Sequence, residues 1–214
     1  MYRAPSTSCA ASDPVTKPTQ SKLLIVHSGL DVKGWLAKPP GVEAARPGRC
    51  PRCGRPSRPT GSCLGLHGHG WRDREILGPP DADAAPTKTL VGCRRYRCLG
   101  CRALILVVPR GVAPRRHYGL GAVAMALTLW AVMQQRPREV RERICVARST
   151  VWGTEWPTLR RWARAARETL RVPVVFTLRE VAERAAQIAI GRAPPLLRTA
   201  PLWAQSFAGG QAMP

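Results

Sequence analysis

The sequence predicts an α+β chain in which a small four-cysteine zinc ribbon precedes an all-helical helix-turn-helix domain, with disordered termini. Three observations carry that reading. Cys50-Pro51-Arg52-Cys53 and Cys98-Leu99-Gly100-Cys101 repeat one Cys-x-x-Cys pattern, the apolar period lengthens to a helical one at Gly119, and helix-start residues punctuate the second half. The expected divisions are a disordered N-terminus at 1–22, a lead-in strand and loop at 23–48, the ribbon at 49–117 and the helix-turn-helix domain at 118–170. A C-terminal helix at 171–192 and a flexible tail at 193–214 complete the chain.

Four deprotonated soft ligands make a tetrahedral zinc site, and a two-residue spacer containing a turn former lets both sulfurs of a pair face one ion. Pro51 and Gly100 are read as the turn formers. Eight cysteines in 214 residues would give about 0.3 such pairs by chance, so two in turn-forming settings point to one structural Zn²⁺ held by Cys50, Cys53, Cys98 and Cys101. The 44 residues between the pairs exceed the usual ribbon spacing. Cys93, His67 and His69 are the substitutes for a missing ligand, whereas Cys63, Cys93 and Cys145 otherwise read as small buried hydrophobes. The first twenty residues are polar and rich in Pro, Ser and Thr, with no apolar core, so a secretory leader is not expected. A reducing cytoplasm follows, where thiols hold metal more often than they form disulfides.

The chain carries a formal charge of +21, and residues 49–118 hold +10 of it. Most of the cations are arginines, whose planar fork fits phosphates and guanine edges, so the expected partner is a nucleic acid.

Leu23 to Val26 reads as a strand, as do Leu64 to His69, Thr87 to Arg97 and Ala103 to Val108, while Gly78 to Pro86 is a loop. Leu120, Val123, Ala124, Leu127 and Trp130 or Ala131 then recur at helical spacing, in a run too short and too rich in Gly and Ala to span a membrane. Pro137 opens a second helix with Val140 and Ile144 on its inner face, and Cys145 takes the tight-turn position. Ser149 caps a third helix. Beyond Pro157, Leu159, Trp162, Ala163, Ala166 and Leu170 form an apolar stripe. Thr177-Leu178-Arg179-Glu180 is a capping box for a helix ending at Gly191. From Ala193 the chain reads as loose.

A short helix, a tight turn and a capped second helix form the pattern that places a helix N-terminus in the major groove. The run from Arg138 through Arg148-Ser149-Thr150-Val151 resembles the helix-turn-helix of bacterial transposases. Together with the knuckles, it is similar over about residues 22–165 to the N-terminal DNA-binding module of insertion-sequence transposases, and to an uncharacterised bacterial domain family built on that module. The resemblance implies that Arg148 and Thr150 approach base edges, that Ser149 caps the helix and touches phosphate, and that Arg138, Arg141 and the zinc-region Arg52, Arg55, Arg94 and Arg95 hold the backbone. It implies duplex DNA as partner and a bacterial nucleoid location when bound. Cys145 stands where glycine is usual, Trp152-Gly153 replaces a polar pair on the reading face, with Trp152 left to pack on sugar or protein, and Pro157 interrupts the helix.

An enzyme is not expected. Transposases use three carboxylates around metal ions, whereas here none of the five aspartates lies after Asp83, and the stretch beyond the helix-turn-helix is shorter than the ~100 residues of a nuclease-like domain. A second reading uses the same residues: a zinc-stabilised module that binds RNA or an acidic protein without DNA specificity. Neither reading involves a membrane, and the oligomeric state is open.

Overall fold

The computed structural model of the chain describes residues 23–61, 63–113, 117–146 and 156–213. Among these run β1 (Leu24–Asp31), α1 (Val32–Ala37), β2 (Leu66–Gly78), β3 (Thr87–Cys98), β4 (Leu104–Arg110), α2 (Leu120–Leu127), α3 (Pro137–Ile144), α4 (Pro157–Leu170), α5 (Leu178–Gly191) and α6 (Leu202–Gln211). The chain is α+β, as expected. Its strands make one sheet in the order β1-β4-β3-β2, so β2 is an edge strand. Ile105, Leu106, Val107 and Val108 are all buried, the continuous apolar run of a strand covered on both faces.

The chain divides into two compact units, and strands β1 to β4 contribute residues to both. The first takes residues 23–26, 41–72 and 94–107. Its core is thin, with Leu66, Tyr96, Ile105 and Leu106 fully enclosed. The Tyr96 hydroxyl donates to the Val42 carbonyl at 2.6 Å. The Arg46 guanidinium donates to the Leu66 carbonyl, lies 5.6 Å from the Tyr96 ring centre and pairs with Glu43, which also receives Arg58.

The second unit takes residues 27–40, 73–93 and 108–213. Short α1 is capped by the Asp31 carboxylate, which accepts from the Gly34 N–H at 2.8 Å. It buries Trp35, whose indole N–H donates to the Gly92 carbonyl. The main core gathers Met125, Leu129, Val140, Ile144, Leu159, Trp162 and Ala182. Tyr118, Trp156 and Trp162 meet edge to face, with ring centres 5.1 to 6.3 Å apart. A π-helical turn, Thr128–Val132, prolongs α2, and Pro137 starts α3 with Val140 and Ile144 inward, as the spacing predicts. The capping box at Thr177 forms, with the Glu180 N–H donating to the hydroxyl and the Glu180 carboxylate accepting from the Thr177 N–H.

Four expectations are corrected. The tail from Ala193 is not loose: α6 packs on α2 and α5 and buries Phe207. Its small residues make that possible, since a Cβ on Gly209 would collide with the Ala189 carbonyl and one on Gly210 would come within 2.7 Å of the Leu120 carbonyl. The second strand runs to Gly78, far past His69, because the hairpin extends well beyond the knuckles. Cys63, expected as a small buried hydrophobe, is exposed and disulfide-bonded. Cys145 needs no glycine at the end of α3, because its backbone is extended at φ −91° and ψ 135°. Its sulfur lies 3.2 Å from the Tyr118 hydroxyl.

Candidate metal centre and basic surface

Within the first unit the Sγ atoms of Cys50, Cys53, Cys98 and Cys101 all lie within 4.8 Å of one another. Each knuckle is closed by the same two backbone bonds. The Cys50 N–H donates to the Arg55 carbonyl at 2.9 Å and the Gly54 N–H to the Cys50 carbonyl at 2.9 Å; the Cys98 N–H donates to Ala103 and the Arg102 N–H to Cys98, both at 3.0 Å. The left-handed residue lies beyond the expected turn former, four places after the first cysteine of each knuckle, at Gly54 (φ 71°) in one and Arg102 (φ 60°) in the other. Pro51 and Gly100 are therefore not the residues that need a special backbone. Glycine accepts that conformation freely, and Arg102 adopts it at some cost.

Two close sulfur pairs join the two knuckles. Cys50 to Cys101 and Cys53 to Cys98 are each 3.7 Å. That separation is far too long for a disulfide, and it matches the edge of about 3.8 Å in a tetrahedron with metal–sulfur bonds of about 2.3 Å. Electrostatics point the same way. Burial opposes a thiolate at Cys50, but the Cys53 and Arg52 backbone N–H groups and the Cys53 and Cys101 thiols hydrogen-bond it, lowering its pKa to about 7. Burial, then the neighbouring sulfurs, push Cys101 up to about 12, and burial likewise raises Cys98. Cys50 favours the thiolate while Cys98 and Cys101 resist it, and a cation between the knuckles would offset that resistance. The donor set and its spacing fit a four-coordinate metal ion.

None of the three substitute ligands belongs to the cluster. His67 and His69 are exposed and stand outside the cluster, as does Cys93, which is completely buried and has its thiol pushed up to about 11 by that burial.

Segments 41–72 and 94–107 around the cluster hold ten arginines, no lysine and one acid, Glu43. Hydrogen bonds from Arg46 and then Arg58 hold the Glu43 carboxyl down at about 2. The unit's one described acid is thus already paired. Arg52 is exposed, and the Arg55 side chain lies against Gly100, where an added Cβ would meet its guanidinium at 3.0 Å. The Arg94 guanidinium stacks 3.4 Å over the Trp71 ring, and Arg95 is half-buried. In the second unit Arg138 is exposed and pairs with Glu142 at 3.0 Å, and Arg141 is half-buried on the same helix. Arg148, Ser149, Thr150 and Trp152 lie outside the described residues.

Sequence reasoning missed Glu43, Arg46, Arg58 and Trp71. Glu43 and Arg46 carried a signal, opposite charges three residues apart; Trp71, an aromatic beside Gly70, carried a weaker one. Among the described residues no helix is long and apolar enough to cross a membrane. Compared with known proteins, the chain matches no family model, no curated protein and no solved structure.

Proposed function

We propose that the chain is a duplex-DNA-binding protein in which a zinc ribbon and a helix-turn-helix act together as a transposase-like module. The observation that carries this reading is the charge of the first unit, ten arginines around four clustered cysteines with the one acid neutralised internally. A surface of arginine without opposing carboxylates attracts a polyanion and repels none of its phosphates. Zinc, held by Cys50, Cys53, Cys98 and Cys101, supplies structure alone. The protein's own groups do the binding: Arg52, Arg55, Arg94 and Arg95 contact phosphates and, with Arg138 and Arg141, fix the orientation on the duplex. Arg148 and Thr150 read base edges and Ser149 caps the reading helix.

The test compares a 20-base-pair duplex, a hairpin RNA and heparin at several salt concentrations. The reading expects the duplex to bind most tightly, and Arg148→Ala to flatten sequence preference more than it lowers non-specific affinity. Equal binding of heparin and both nucleic acids would contradict it, and preference for RNA would favour the second reading.

A further inference from the structure

Trp71 stands on the sheet's edge strand, where residues 67–73 are all exposed, and it keeps 41% of its surface in contact with solvent. An edge tryptophan this open has a free ring face. The other face is occupied by the Arg94 guanidinium at 3.4 Å. The backbone arranges this. An added Cβ on Gly68 would meet Val42, the residue whose carbonyl accepts from Tyr96, whereas one on Gly70 would lie 3.6 Å from an Arg95 guanidinium nitrogen. Regular alternation would turn Gly68 and Gly70 the same way; the positive φ of Gly70, 83°, breaks it and delivers Trp71 to the Arg94 side. Arg95 is left beside the kink with its Nε buried and no partner among the described residues. Arg72 follows directly in the chain.

We propose that Trp71 is a stacking platform for an unpaired base, so that this edge of the first unit binds single-stranded DNA. Every base has a π-face that an open indole can take, and a guanidinium stacked behind the indole leaves the opposite face free. The exposed Arg72 beside Trp71 supplies a cation for a flanking phosphate, while Arg94 stays behind the indole. In a duplex the base faces are already stacked, so this arrangement suits a strand end or an opened segment. The inference rests on the nucleic-acid reading above and adds the single-stranded partner to the same surface.

The test measures anisotropy of labelled oligo(dT) 20-mers and of a 20-base-pair duplex with the wild type, Trp71→Leu and Trp71→Phe, all loaded with zinc. Stacking on the order of 1–3 kcal/mol per base predicts that Trp71→Leu weakens oligo(dT) binding about 5- to 150-fold while duplex affinity changes less than about twofold, and that Trp71→Phe retains most of the affinity. Independently of any variant, a 5-bromodeoxyuridine oligomer irradiated with the wild type is expected to crosslink at Trp71. Equal loss on both nucleic acids, no loss on oligo(dT), or crosslinks mapping elsewhere overturn the proposal. A wild type that binds duplex but not oligo(dT) overturns this inference alone, and one that binds neither overturns the DNA-binding reading itself.

Discussion

The two units of this chain are held together by different means. The second closes over aromatic rings, aliphatic side chains and close-packed glycines and alanines. The first encloses few large side chains beside ten arginines, and its two knuckles approach each other through four clustered cysteine sulfurs. A small domain that must display charge has little apolar surface to bury, and a metal site supplies the cohesion such a core lacks. The arginine-rich segments and the four-cysteine cluster coincide in one unit.

The sharpest way to break that contrast is to remove the metal. Cys98→Ser is expected to abolish zinc binding and to unfold residues 41–72 and 94–107, because a structural zinc contributes about 10 kcal/mol or more of apparent binding energy. Amide exchange should rise there while α2, α4 and α5 keep their protection. Zinc retained by Cys98→Ser would contradict the ligand assignment. The reciprocal experiment strikes the other core. Ile144 is fully buried, and Ile144→Ala should destabilise the helical unit by about 2–5 kcal/mol in urea unfolding without altering zinc stoichiometry.

A smaller effect tests the packing of α6. Gly209→Ala forces a methyl group onto the Ala189 carbonyl and should cost the helical unit about 1–3 kcal/mol. A variant as stable as the wild type would mean that the tail is loose, as its composition suggests.

What the sequence made legible follows the range of each signal. The knuckles, the capping box at Thr177 and the inward pair Val140 and Ile144 are set by residues within a few positions of one another, and all are found where spacing puts them. Contacts between distant segments were not legible. Gly209 and Gly210 look like chain breakers until the surfaces they fit against are known, and Arg46 looks like surface charge until Leu66 and Tyr96 close around it. In β3 burial falls on Val91 and Cys93 and then on Tyr96 and Cys98, so the enclosed side changes along the strand. A two-residue period read from Cys93 alone cannot register that change of parity.

The smallest expected effect refines the first unit's charge balance. Glu43 is held at about 2 by Arg46 and Arg58, against an ordinary value of 4.5, so its contribution to stability is complete above pH 4.5 and fades as pH falls toward 2. The melting-temperature gap between wild type and Glu43→Gln should be widest near neutrality and begin to close below pH 4.5. A gap that widens in acid would contradict this sign.

The central claim is that one metal ion organises the arginine surface that binds DNA. Zinc content and duplex affinity measured on the same preparation, before and after chelation and again after zinc is restored, test it most directly. The account predicts one zinc per chain, affinity lowered at least about tenfold when the metal is removed, and recovery on its return. Metal-free protein that binds the duplex as tightly as the loaded form would contradict it.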